Sequence, residues 1–120
     1  MGQGDKMIQA VYNILQPLDI PVQYILRPDI SGNTKIGVSY HFFNEGNELY
    51  GDGEGIAEGG VLQIDIFSTV DYSNVVSQIK GLMKTNKFRL ADSRDSDDSF
   101  NNLKYYHKIL IFNYVESEVR

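Results

Sequence analysis

Apolar and polar residues alternate over residues 62–66, the centre of the apolar-rich segment 61–67. The apolar residues on one side of this segment are Leu62, Ile64 and Ile66. The polar residues Gln63 and Asp65 fall on the other side. A period of two predicts a β-strand that buries one face, because successive side chains of a strand point in opposite directions. The chain must therefore form a sheet, and apolar groups must cover one side of it.

The segment before this strand is rich in glycine and acidic residues. Residues 44–60, here named the acidic arm, contain Glu48, Asp52, Glu54 and Glu58 and no lysine or arginine. We predict a long mobile surface loop that a partner protein orders on binding. A phosphate loop is disfavoured because these glycines precede a strand, whereas phosphate loops open a helix whose N-terminus binds the anion.

The remaining pattern predicts an α+β fold. Apolar residues recur at three- and four-residue spacing in two segments, which predicts helices at residues 5–18 and 72–85. Further strands are predicted at residues 20–27, 35–43, 88–91 and 103–115, with an acidic, serine-rich turn at 92–99. This order indicates a mostly antiparallel sheet of about four to five strands with two helices packed on one face.

The length and composition indicate one soluble domain over residues 1–120, with residues 1–6 expected to be flexible. The net charge is −5 and no run of Lys and Arg exists, which argues against sequence-independent binding of DNA. The chain contains no cysteine, which excludes disulfides and Cys-ligated zinc. The sequence predicts neither a signal peptide nor a membrane span, and it points to no cofactor.

Two weaker patterns invite a chemical interpretation. The aspartates at 92, 95, 97 and 98 lack the central glycine and late glutamate of a calcium loop, so a solvated turn is favoured over a metal site. His41 and His107 are the only histidines, and no catalytic motif stands near either one. Residues on the sheet surface are therefore the favoured interpretation, and a small enzyme using His41 or His107 remains the weaker alternative.

Aromatic residues occupy both sides of the last predicted strand. They include Tyr105 and Tyr114. Protein interfaces are enriched in such rings. Pairing between rings on neighbouring strands is the other explanation, and the sequence leaves both open.

Three segments together resemble the tail-completion (tail-terminator, head-tail joining) proteins of long-tailed bacteriophages and prophages. They are the opening helix MIQAVYNILQPLDIPVQY, the arm with its strand GDGEGIAEGGVLQIDIFST, and the second helix with its strand DYSNVVSQIKGLMKTNKFRL. The closing YYHKILIFNY is similar to the last strand of that family. The resemblance extends from about Met7 to Tyr114.

The resemblance implies a structural virion protein rather than an enzyme. Proteins of this family form a ring, commonly a hexamer, that caps the tail tube and docks to the head connector. The implied partners are the tail tube protein and the head connector protein, without a membrane and without sequence-specific nucleic acid. The implied location is the cytoplasm of the host bacterium during assembly, and afterwards the tail neck of the virion.

Eight residues are the interaction candidates that follow from these patterns: Glu48, Tyr50, Asp52, Glu54, Glu58, Asp65, Tyr105 and Tyr114. An anionic lining would repel DNA that passes through a ring, and the candidates for this role are Asp52, Glu54, Glu58 and Asp65. The alternative function is that of an intracellular adaptor that binds a peptide at an open sheet edge.

Overall fold

A computed structural model describes residues 3–48, 58–97 and 105–119, with side chains described at 6–43, 59–96 and 105–119. The α-helices and strands are α1 (Gln3–Leu15), β1 (Val22–Tyr24), β2 (Ile36–Glu48), β3 (Glu58–Ser68), α2 (Ser73–Thr85), β4 (Arg89–Asp97) and β5 (Tyr106–Val115). Two short 3-10 helices lie at Gln16–Leu18 and Glu116–Glu118. The molecule is elongated, with extents of 54 × 24 × 23 Å.

The five described strands form one sheet in the order β1-β2-β3-β5-β4. Only the β1–β2 pair is parallel, and the other three pairs are antiparallel. Both helices contribute to one apolar core on a single face of this sheet. The predicted α+β class, with a mostly antiparallel sheet and two helices on one face, is therefore confirmed.

The core forms where the alternating strands meet the helices. Leu62, Ile64 and Ile66 of β3 are completely buried, as the period of two predicts. They face the buried helix residues Val11, Leu15, Ile79 and Met83. Burying a side chain of this size stabilises the fold by about 1.5–3 kcal/mol, and these contacts therefore hold the helices on the sheet.

The hydroxyl group of a buried tyrosine joins the sheet to α1. The Tyr40 side chain is 1% exposed, and its hydroxyl donates a 2.7 Å hydrogen bond to the carbonyl of Ile8. Burial, with smaller contributions from Tyr24 and Tyr12, raises the pKa of Tyr40 to about 12. The hydroxyl is therefore protonated at neutral pH and can donate this bond, which joins β2 to α1.

A close backbone approach explains one glycine of β2. The residues that connect β1 to β2 cross the sheet at Gly37, on the face opposite the helices. A Cβ atom at Gly37 would lie 2.7 Å from two ring carbons of Pro28. Only glycine leaves room for this crossing, which allows β1 to lie parallel to β2.

Several predicted boundaries are wrong. α1 begins at Gln3 rather than at residue 5. Its α-helical hydrogen bonds stop at Leu15 rather than at residue 18, because Pro17 has no N–H to continue them. After α2, Lys87 adopts a left-handed conformation (φ 73°), and Asn86 donates hydrogen bonds from its N–H and its side-chain amide to the carbonyl of Leu82.

The acidic arm is partly strand. β2 continues to Glu48 and β3 begins at Glu58, so residues 44–48 and 58–60 are strand where a loop was predicted, with a register shift between Phe43 and Asn47. Glu48 lies opposite Glu58 in this hairpin. The predicted loop can therefore only involve residues 49–57, which lie outside the described residues.

The acidic run predicted as a turn at 92–99 is mostly strand, since β4 extends to Asp97. Asp95 accepts a 2.9 Å hydrogen bond from the Tyr72 hydroxyl and lies 3.2 Å from the ammonium of Lys108. These contacts, Tyr72 first, lower the pKa of Asp95. Asp95 of β4 thus contacts Tyr72, just before α2, and Lys108 of β5. These contacts favour the strand, although aspartate has a low β-propensity.

Candidate functional site

The sheet has an open face, which we define as the side that carries His41, Phe43, Val61, Gln63, Ile109 and Ile111. Neither α1 nor α2 packs on this side, and all six side chains are partly or largely exposed. Phe43 is 36% exposed and meets the ring of His41 edge-on at 4.9 Å. Apolar groups on an uncovered sheet face mark a surface that can bind a protein.

A histidine–aspartate pair is embedded beside this face. Nε2 of His107 lies 3.0 Å from Oδ2 of Asp65, and each side chain is 14% exposed. The other carboxylate oxygen of Asp65 accepts a 2.7 Å hydrogen bond from Gln63. The ring of His107 stacks on Phe67 at 4.4 Å, and the guanidinium of Arg27 lies 4.3 Å from the same Phe67 ring. These contacts tie β3, β5 and the β1–β2 connection together.

An exposed apolar pair lies at the β1 edge of the sheet. Ile25 and Leu26 are 61% and 65% exposed. Ile25 has a φ of 68°, which is unusual for a β-branched residue. The N–H of Ile25 bonds to the carbonyl of Tyr40 at 2.8 Å, so this bend is fixed to the sheet. Strained backbone of this kind is often found at functional sites.

A basic groove lies at the opposite edge, where α2 ends and β4 begins. Its volume is about 800 Å³, and its basic residues are Lys80, Lys84, Lys87 and Arg89. The buried rings of Phe88 and Phe112 form its floor, together with the half-exposed Leu90. The sequence analysis missed this groove because the four cations do not form a run. The available signal was the four-residue spacing of Lys80 and Lys84 on one face of a helix.

The eight predicted interaction residues lie in different environments. Tyr114 is 4% exposed and packs on Phe42 and Phe88, so its ring belongs to the core. Tyr105 is partly buried just before β5. Glu48 and Glu58 face each other at the end of the hairpin, but their side chains lie outside the described ones. Tyr50, Asp52 and Glu54 also lie outside the described residues.

Asp65 lies in a more enclosed setting than a surface lining suggests. Its carboxylate is largely buried, lies 3.0 Å from His107 and accepts a hydrogen bond from Gln63, so its oxygens face neighbours within the sheet. The sequence placed Asp65 correctly on the side of β3 away from the helices. It could not show the partner, because His107 becomes a neighbour only through the antiparallel pairing of β3 with β5.

No metal site or membrane helix emerges from the described residues. Within them, no group of three or more His, Cys, Asp or Glu side chains could hold a metal ion. No helix in the described part of the chain has the length and apolar character to cross a bilayer.

The fold matches that of a known virion chain. A chain in the virion of a native gene transfer agent particle is similar, with a TM-score of 0.59 and 11% sequence identity over 89% of this chain and 91% of that chain. At that identity the likeness establishes the fold alone. The fold of this chain is therefore one that also occurs in a virion protein, as the sequence resemblance leads one to expect.

A second similar structure is a sheath/tube terminator of an extracellular contractile injection system in its extended state. The TM-score is 0.41 at 11% identity over 91% of this chain, which spans about half (55%) of that chain. A score this low carries no argument. Family models and curated protein sequences give no match to the chain.

Proposed function

We propose that the protein completes a phage-type tail: it forms a ring on the end of the tail tube, stops tube growth and supplies the surface for the head connector. The observation that carries this proposal is the fold shared with a gene transfer agent virion chain over 89% of the protein. The role is structural rather than enzymatic. Assembly takes place in the host bacterial cytoplasm, and the finished virion holds the protein at its tail neck.

Ring formation requires two unlike surfaces on one subunit, because head-to-tail contacts close by rotation. The two edges of the sheet differ in this way. The β1 edge carries the apolar pair Ile25 and Leu26, and the β4 edge carries the basic groove. The resemblance implies six copies, and a ring of this kind uses each edge once per subunit.

The acids of the arm have a second use in a ring. DNA must pass through the opening without adhering, and an anionic lining repels phosphate. Asp52, Glu54, Glu58 and Asp65 are the candidates for this lining, and the Asp65 side chain is 14% exposed beside His107.

A measurement of mass tests the proposal. The protein is studied alone at rising concentration and then with polymerised tail tube protein from the same particle. We expect discrete higher oligomers, consistent with six copies, on tube ends that no longer grow. Tubes that elongate normally, together with a protein that stays monomeric, would contradict tail completion.

One observation favours a second candidate, a peptide-binding adaptor. β1 pairs with β2 only at Val38, Ser39 and Tyr40. In the described residues, the rest of this long strand has no partner on that side, so an extended peptide could add a strand there. An adaptor of this kind would bind peptide without forming a ring on tubes, and the same mass measurement therefore separates the two functions.

A further inference from the structure

The basic groove has a charge opposite to that of the protein as a whole. Four of the chain's 11 basic residues line it, although the net charge of the chain is −5. One carboxylate, that of Glu118, lies in the groove, and it is 4.0 Å from Arg89. Among the described residues, no carboxylate forms an ion pair with Lys80, Lys84 or Lys87. The groove therefore presents uncompensated positive charge.

The backbone holds these cations in place. Lys84 lies in the last turn of α2, and Lys87 follows in a left-handed conformation. The N–H of Lys87 bonds to the carbonyl of Lys84 at 3.1 Å, and the N–H of Phe88 bonds to that of Met83 at 2.9 Å. The turn between α2 and β4 thus places two ammonium groups at the rim and turns Phe88 inward.

The floor of the groove is apolar. Phe112 is 1% exposed and Phe88 is 2% exposed, while Leu90 is 44% exposed at the rim. An inorganic anion would gain no favourable contact with these apolar side chains. A ligand that complements the groove is a peptide segment with several acidic side chains, a few apolar side chains and few or no lysines and arginines.

We propose that this groove binds the acidic arm of a second copy of the chain. Residues 47–60 contain four acidic residues and no basic one, and they also carry the apolar side chains Leu49, Tyr50 and Ile56. Both the charge and the apolar content complement the groove. The inference rests on the proposed ring and names the contact that joins its neighbouring subunits.

The chain's own arm and the groove lie at the same end of the sheet. Glu48 and Glu58 pair one position beyond Gly59, which lies opposite Val115 at the end of β5. β4 begins at this end, where Arg89 lies opposite Asn113 of β5, and the groove lies beside it. The arm therefore projects from the end of the molecule that carries the groove, and an exchange of charge between unlike copies separates a contact with a neighbour from a contact within one chain.

A binding experiment tests the contact without requiring a ring. The probe is a fluorescent peptide with the sequence of residues 47–60, titrated into the full chain at low and high salt. We expect binding that weakens with salt, and about a tenfold or greater loss in the double variant Lys84→Glu/Lys87→Glu. The matched control is Lys35→Glu, an exposed lysine outside the groove, which should bind normally.

A scrambled peptide of the same composition separates a fitted site from general attraction between charges. Absence of binding, equal binding of native and scrambled peptides, or equal binding by the double variant and Lys35→Glu would each overturn the proposal. Circular dichroism of each variant verifies that the substitutions leave the fold intact.

A charge exchange in the full chain provides the second test. Asp52→Lys/Glu54→Lys in one preparation and Lys84→Glu/Lys87→Glu in another should each weaken self-association, and mixing the two should restore contacts between unlike copies. Rings that form normally with Lys84→Glu/Lys87→Glu would overturn the groove contact and leave tail completion standing. If the protein binds the peptide but never caps tail tubes, the contact between arm and groove would be supported and the proposed function in tail completion would be refuted.

Discussion

Replacing Phe112 with alanine is expected to lower the free energy of unfolding by about 3–5 kcal/mol, a large share of the roughly 5–15 kcal/mol of a typical domain. The Phe112 ring is 1% exposed, lies opposite Leu62 in the register of β3 and β5, and meets the Phe88 ring edge-on at 6.5 Å. Truncation leaves a cavity that neither the sheet nor α2 can close. Urea unfolding at 25 °C measures the change.

Phe43→Ala is the matched control for this substitution. Phe43 is also an aromatic residue of the sheet, but it lies on the open face and is 36% exposed. We expect a loss below about 1 kcal/mol, because little contact is removed. Losses of similar size in the two variants would show that the core has been placed on the wrong face.

Shortening the acidic arm is expected to abolish tail completion while leaving the domain folded. Glu48 and Glu58 lie directly opposite each other. Replacing residues 49–57 with Asn-Gly therefore joins the strands through a two-residue turn that suits a hairpin. We expect a drop of about a hundredfold or more in joined particles, since several subunit contacts fail together in a ring. The count of infectious or DNA-delivering particles measures it.

The control for the shortened arm keeps its length and removes its chemistry. A glycine-serine segment replaces residues 49–57, so that reach is retained while Asp52, Glu54 and the apolar side chains are lost. We expect the same defect, with unchanged unfolding midpoints in both variants. Normal particle counts with either arm would refute the role of the arm in assembly, and a loss of folding would show that it belongs to the domain core.

The sequence predicted those elements whose burial pattern is local. The alternation at residues 62–66 located the core side of β3, and the three- and four-residue spacing located α2. It failed at β4, where Asp92, Asp95 and Asp97 are typical turn residues. The second half of β4 pairs with β5, and Asp95 contacts Lys108 of β5 and Tyr72 next to α2, all of which are distant in sequence.

The candidate surfaces were less accessible to sequence reasoning. Tyr114 was a plausible interface residue until the pairing with β3 placed its hydroxyl 2.7 Å from where a Cβ of Gly60 would lie, inside the core. The parallel position of β1 depends on the close approach of Pro28 to Gly37. The basic groove joins the end of α2 to the start of β4, and no single segment reveals it.

Imaging of the assembled particle tests tail completion most directly. Electron cryomicroscopy of the assembled particle, at a resolution that traces the sheet, locates every copy. The account predicts one closed ring of copies between the end of the tail tube and the head connector. In that ring, the arm of each copy should enter the basic groove of its neighbour. Copies distributed along the tube, copies in the capsid shell, or particles without the protein would contradict it.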